Sequence, residues 1–417
     1  MNDPSRVLIA HPARQKSVYE RPWAAYKAGR PVLFFTGLYY EPSKFPYRLV
    51  PYLPAHWRER CLAQLEKRRI PGFDDRLVIT PGGPWLEFLL RPWNLIREWT
   101  YSFDWLMARW IKRHPVDAQS VLVHCFQESA YFTIAAAKAK GYITLLEITL
   151  PIPPRETTTS TATNGPQAWD EHQPLKIDIA AMRQADYLLA QSNFSVEVLR
   201  RWGVADSKII LLPFGVDLAQ FYPAQSKNPS APWRALFVGQ LGMRKGLHHL
   251  LEAWKQLALP HAELLLVGNP NEEGRELLEK YKGLYRYAGF VPDAELPELF
   301  RQSDIFVFPS GAEGGAAVVY EALASGLPSI VTSNASAIVQ DGINGYIIPW
   351  GDIETLKNRI LLLYNNRDRG AEMSKAARQR AERFSWDEFD RRLNLIYDAL
   401  LNGSLAGHGG VFDTSGL

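Results

Sequence analysis

DIFVFPSGAEGGAAVVYEALASGLPSIVTS, residues 304–333, decides the fold. It opens on IFVF, an apolar run of strand length rich in β-formers. A turn of small residues follows, GAEGGAA. AAVVYEALASG then reads as a helix that stops at Gly326, and LPSIVTS as a second strand. Strand, turn, helix, strand is the unit of a parallel sheet covered on both faces. The turn after such a strand lies at the carboxyl edge, where ligands bind in doubly wound folds. Two carboxylates frame this helix start, Glu313 and Glu321, with only Gly, Ala, Val and one Tyr between them.

The pattern extends in both directions. RALFVG (234–239) and AELLLVG (262–268) read as strands, and GLHHLLEAWKQLA (246–258), PDAELPELFRQS (292–303) and GDIETLKNRILLLYNN (351–366) as helices. RVLIA (6–10), VLFFTG (32–37), LVIT (77–80), SVLVH (120–124) and YITLLEI (142–148) are the strands of an earlier half, with FTIAAAKAKG a helix ending on Gly141. Two such halves imply an α/β chain of two Rossmann-like, doubly wound parallel-sheet domains facing each other across a cleft. The join falls in PFGVDLAQFYPAQSKNPSAP (Pro213–Pro232), rich in Pro, Ser and turn residues. This predicts a first domain over 1–215 and a second over 216–384. A helix near 385–402 is expected to pack back on the first domain, and glycine-rich 403–417 to form a flexible tail. TTTSTATNGP (157–166) is expected to be a surface loop.

Bulk composition narrows the classes. The chain has 417 residues, 47% hydrophobic and 22% charged, which suits two soluble domains. A net charge of +3 is too small to argue for a nucleic-acid partner. Two cysteines, Cys61 and Cys125, make neither a disulfide framework nor a thiolate zinc site, so a reducing, cytoplasmic setting is expected. No signal-peptide pattern opens the sequence, and no apolar run reaches membrane-spanning length.

The small-residue turn has its own chemistry. A helix N-terminus presents free N–H groups and a partial positive charge. Small side chains let an anion approach them, so Gly314, Gly315 and Ala316 read as a phosphate cradle, with Ala317 opening the helix. Carboxylates beside an anion site suit hydroxyl groups, which gives Glu313 and Glu321 a use on sugar and ribose. The same residues also describe an ordinary amphipathic helix with two solvated glutamates. FVGQLGMRKG (237–246) is a second strand, loop and helix start, and it carries Arg244 and Lys245, suited to a diphosphate.

These residues resemble glycosyltransferase family 4, the retaining nucleotide-sugar transferases of the GT-B fold. The resemblance rests on the Glu-x7-Glu pair at Glu313 and Glu321, on VGQLGMRKG, on VQDGINGYIIP (339–349), and on the stretch from Ala185 to Pro223. It implies roles. Glu313 would meet the donor sugar and Glu321 the ribose. The backbone of Gly315 and Ala316 would bind the diphosphate, with Lys245 and Arg244 compensating its charge, and Val291 would meet the base. Sugar would pass with retention from a UDP- or GDP-sugar to a polysaccharide, lipid or small-molecule hydroxyl, with no metal or other cofactor.

The sequence departs from that family at three places. Gly315 and Ala316 stand where Phe-Gly is frequent. The opening loop is HPARQKSVYE, with Arg14 and Gln15, in place of a glycine-rich loop. Where many members have a histidine near the reacting sugar, Glu147 stands near the end of YITLLEI. Glu147 reads either as a carboxylate steadying developing positive charge or as a buried structural acid, and His124, closing SVLVH, as a second cleft candidate or a structural histidine. These departures admit an alternative, a non-catalytic GT-B subunit that binds nucleotide sugar and partners an active transferase.

The Trp-rich segment 84–114 also has two readings. Trp93, Ile96, Thr100, Phe103, Leu106 and Trp110 fall near one helical stripe with basic flanks, which suits peripheral membrane contact. The stripe equally suits packing on the protein's own core, because Glu87, Glu98 and Asp104 interrupt the basic face.

Overall fold

The structure is a computed structural model that describes residues 6–12, 16–81, 96–116, 120–151, 176–226, 230–405 and 409–415. Arg14 and Gln15, the 157–166 stretch, and residues 82–95 of the Trp-rich segment lie outside the described residues.

Strands and helices alternate through both halves. The first half supplies β1 (Arg6–His11), β2 (Val32–Thr36), β3 (Val78–Ile79), β4 (Val121–Phe126), β5 (Ile143–Glu147), β6 (Tyr187–Ala190) and β7 (Ile209–Leu211). The second supplies β8 (Trp233–Val238), β9 (Ala262–Val267), β10 (Arg286–Gly289), β11 (Ile305–Phe308), β12 (Ser329–Thr332) and β13 (Gly345–Ile348). A last short strand, β14 (Phe412–Asp413), returns to the first sheet. The sheet orders are β14-β7-β6-β5-β4-β1-β2-β3 and β10-β9-β8-β11-β12-β13, with every pairing parallel. Continuous apolar strands such as VLVHCF and IFVF are buried along their whole length, as sheets covered on both faces require.

The helix Trp386–Leu401 contributes Phe389, Leu393, Ile396, Tyr397 and Leu400 to the core that also holds Val7, Ile9 and Phe34. The glycine-rich C-terminus corrects the expectation of a flexible tail over 403–417. Phe412 and Asp413 pair with Ile210 and Leu211. Thr414 is buried, and both its N–H and its hydroxyl donate to the Leu211 carbonyl. Val411 and Phe412 supply the apolar contacts that hold the strand.

The helix Ile96–Arg113 turns its aromatic stripe to the core. Trp99, Phe103, Met107 and Ile111 are its buried face, which shares Phe103 with the expected stripe but is rotated from it. Asp104, expected on the outside, is fully buried. Its carboxylate accepts from the N–H groups of Phe132 and Thr133, both at 2.8 Å. It thereby caps the helix Tyr131–Ala139, whose own preceding residue, Ala130, has no capping side chain.

Candidate active site

In the second sheet, strand order reverses between β8 and β11, which are neighbours. This is the switch point at which doubly wound folds bind ligands. The loop after each strand therefore faces the other. The Gly311 N–H donates to the Arg244 carbonyl at 2.8 Å, joining them. Gly246, at φ +73°, lets the first loop enter the helix Leu247–Leu257. A Cβ there would sit 1.9 Å from the Pro309 carbonyl oxygen, so only glycine lets the loops approach so closely.

Three charged groups meet across these loops. The Lys245 ammonium contacts the Glu313 carboxylate, and the Arg244 guanidinium lies 3.6 Å from the same oxygen. Ser310 donates its hydroxyl to that oxygen at 2.5 Å, and Arg244 also donates to the Ala312 carbonyl at 2.9 Å. Burial pushes the Lys245 ammonium below its ordinary value, with the neighbouring Glu313 charge opposing the shift. Two cations thus share one carboxylate, a surplus of positive charge beside the start of the helix Ala317–Ala324.

A cavity of about 230 Å³ opens here, lined by Lys245, Glu313 and the 314–317 backbone from one side. Glu147, Thr149, Gln191 and Phe214 line it from the other. The small residues serve that meeting. A Cβ on Gly314 would lie 2.2 Å from the Thr149 carbonyl oxygen, and one on Gly315 1.9 Å from Phe214 Cδ2. Ser195 reaches across to donate to the Gly314 carbonyl at 3.2 Å. Ala316, the departure from Phe-Gly, precedes the helix with φ +47°, a left-handed conformation that costs an alanine roughly 1–2 kcal/mol.

The other expected residues fall in two places. Glu321 is half-buried on the helix 317–324, and Val291 is half-buried just beyond β10 against the second core. Neither lines this cavity. Glu147 does line it, at the end of β5, but it is 1% exposed and fully engaged. Arg21 grips both its oxygens, at 3.1 Å from Nε and 2.5 Å from Nη2. Gln191 donates to one oxygen, and His124 Nε2 lies 3.2 Å from the other. Burial alone would raise the Glu147 pKa. The Arg21 charge, with His124 beside it, reverses that and holds it at about 2.

His124 corrects the expectation of a cleft histidine. It is fully buried and does not line the cavity. Its Nδ1 lies 2.8 Å from the Tyr397 hydroxyl, which ties β4 to the helix 386–401, and its Nε2 meets Glu147 at the end of the neighbouring β5. Burial pushes its pKa down.

Arg21 is the residue that sequence reasoning missed. It sits on the helix Lys16–Lys27, 1% exposed, with its guanidinium 4.7 Å from the Phe389 ring and 5.5 Å from the Phe214 ring. A signal existed. An arginine between Val18 and Ala24 on an apolar face needs a buried counter-charge, and Glu147, ending an apolar strand, needs the reverse. Gln191, Thr149 and Phe214 carry no such signal, because only the closed arrangement of domains brings them to the cavity.

Two known protein families match this sequence. Residues 219–380 match the family described as glycosyl transferases group 1, and residues 66–220 match glycosyltransferase family 4. The colanic acid biosynthesis glycosyltransferase WcaL of Escherichia coli, itself described as putative, is 29% identical over 234 residues, which cover 52% of this chain and 58% of that protein. The chain thus spans little more than half the length of that curated relative. Sucrose-phosphate synthase from Thermosynechococcus elongatus superposes with a TM-score of 0.61 at 19% identity, covering 96% of this chain and all of that one. Anabaena HepE, in complex with UDP and glucose, gives 0.61 at 16% identity over 94% of this chain and 99% of that one. At such identities the superpositions establish the fold alone. With its two matched segments adjoining from 66 to 380, the chain belongs to glycosyltransferase family 4 and has the GT-B fold.

Proposed function

We propose that the chain is a glycosyltransferase that moves a sugar from a nucleoside-diphosphate donor, of UDP or GDP type, to a hydroxyl acceptor with retention at the anomeric carbon. The observation that carries this reading is the pairing of Lys245 and Arg244 with Glu313 at the switch point, next to a helix start stripped of side chains. A departing diphosphate is an anion that grows in charge as the glycosidic bond breaks. Two cations and oriented amides stabilise it most at that moment, which lowers the barrier and not only the binding energy. On this reading no metal is needed. Lys245 releases Glu313 to the phosphates' advantage, and Glu313 turns to the sugar hydroxyls. Glu321 takes the ribose and Val291 the base.

The cavity supports a cycle of opening and closing. Its 230 Å³ is below the roughly 300–1,000 Å³ of sites that enclose a whole small ligand. A nucleotide sugar enters only if the first domain, through Thr149, Gln191 and Phe214, draws away from the 314–315 loop.

Titration calorimetry with UDP, GDP, ADP and their common sugars, followed by donor hydrolysis without acceptor, tests the reading. One nucleotide class should bind. Lys245→Ala should weaken it by about 1.5–3 kcal/mol, the range for a hydrogen bond to a charged group. Glu321→Ala should weaken binding, and Glu313→Ala should mainly slow turnover. Binding that Lys245→Ala leaves intact, or equal and small effects of the two glutamates, would remove the assignment.

A further inference from the structure

The first domain carries a surface that its fold leaves uncovered. After β2 the chain leaves the carboxyl edge of the sheet, the edge that faces the cleft, and does not return until β3. Within this excursion Phe45, Leu49, Tyr52, Leu53 and Trp57 stand 54%, 49%, 85%, 38% and 62% exposed. All seven residues from Pro51 to Trp57 are exposed, and the helix Ala55–Leu65 buries none of its side chains. Folding normally hides such rings, and contiguous exposed apolar patches mark interaction sites.

Charge identifies the partner. From Glu41 to Arg69 there are seven Lys and Arg against three Glu, a net of +4, whereas the whole chain carries +3. The rest of the chain therefore sums to −1. Basic and apolar residues are interleaved along the chain, with Arg48 between Phe45 and Leu49, and Trp57 beside Arg58 and Arg60. The Arg48 guanidinium lies 5.8 Å from the Phe45 ring. A protein-protein contact concentrates apolar residues at its centre and depletes charge there. Interleaved rings and guanidiniums suit the headgroup layer of a bilayer, where rings sit at the boundary of tails and headgroups and cations meet lipid phosphates. Among the described residues no helix is long and apolar enough to cross a membrane.

We propose that residues 44–69 dock this chain on the surface of an anionic lipid bilayer. The patch adjoins a groove of about 390 Å³ between the domains, lined by Trp23, Lys67, Arg69 and Ile70 and, from the second domain, Asp293. On the transferase reading, an acceptor whose headgroup projects from the bilayer enters the cleft by this groove.

The test is co-sedimentation of the whole chain, without substrates, with vesicles of phosphatidylcholine alone or mixed with phosphatidylglycerol. The chain should bind the anionic vesicles, and added salt should weaken the binding. Tyr52→Ser with Trp57→Ser, and separately Arg48→Glu with Arg60→Glu, should each lower it at least about tenfold. These side chains are exposed, so thermal melting and nucleotide binding should not change. Failure to bind anionic vesicles, or binding that both double variants keep, overturns the proposal. So does a change of oligomeric state by light scattering in the variants, which would make a second copy the occupant. Vesicle binding in a chain that binds no nucleotide leaves the docking surface standing and removes the transferase reading.

Discussion

Glu147 ends β5 at the cavity wall, where it can serve either the reaction or the fold, and Glu147→Gln separates the two. Glutamine keeps the size and can still accept from Arg21, but it removes the charge. Arg21 and Glu147 are each 1% exposed, so the arginine would keep its charge away from water without a counter-ion. Removing one partner of a buried pair costs about 3–5 kcal/mol. The depression of the Glu147 pKa from 4.5 to about 2 gives a similar figure, about 3 kcal/mol at 1.36 kcal/mol per unit. For a domain of this size each kcal/mol lowers the melting temperature by about 2–4 °C, so the variant should melt roughly 6–20 °C lower. Differential scanning calorimetry reads this directly, and Arg21→Met combined with Glu147→Leu should recover much of the loss, since an apolar pair leaves no stranded charge. The reasoning fails if Glu147→Gln melts within about 2 °C of the wild type while donor turnover falls by the roughly hundredfold or more typical of a lost acid or base. Glu147 would then be a chemical group and the ion pair incidental.

Acid should act on the same network. Glu147 has a folded pKa below its unfolded value, so its stabilisation is full above about 4.5 and is lost as pH falls from there towards about 2. His124, also depressed by burial, adds to this, because the unfolded chain takes up a proton below about 6.5 that the folded ring refuses. Melting temperature measured from pH 7 to 4 should fall, and His124→Gln should flatten the upper part of that curve. Gly315→Ala should separate the domains, because its Cβ would lie 1.9 Å from Phe214. Small-angle scattering should show a larger radius of gyration, with each domain still folded. Asp104→Ala removes the cap of the helix 131–139 and two hydrogen bonds, one buried and one half-buried, and should cost about 2 kcal/mol in chemical denaturation.

Much of this was legible because apolar runs end where glycine begins. IFVF, RALFV and ELLLV are bounded by turn residues, so strand edges and the loops after them could be placed to within a residue or two. The pairing of the 239–246 and 311–316 loops followed from both lying at carboxyl edges. What could not be read depended on groups far apart in sequence. Asp104 looked like a solvent-facing interruption because its partners are backbone N–H groups of another helix, which no side-chain pattern displays. The rotation of the Trp-rich helix is hidden from the sequence for a related reason. Phe103 belongs to both candidate stripes, and only the acid on the inside decides between them. The last strand was hidden by the glycines around it, although Val411 and Phe412 were apolar residues without another assignment.

The geometry at the crossing between domains ties these observations together. The chain passes from first to second domain at 215–216 and returns at 384–385. The two passages are side by side, with the Val216 N–H donating to the Phe384 carbonyl at 2.9 Å and Val216 bridging to Ser385. A Cβ on Gly215 would lie 2.5 Å from the Trp386 ring, so the passages are in contact. Any opening of the cleft must bend both. Phe214, one residue before the crossing, faces the cavity on one side and the Arg21 guanidinium on the other. Phe389 and Tyr397, just after the return, hold Arg21 and His124. The buried Arg21–Glu147 pair therefore lies between the hinge and the cavity. A charge pair that costs energy to bury at this position is explained if it fixes the angle at which the first domain meets the 314–315 loop.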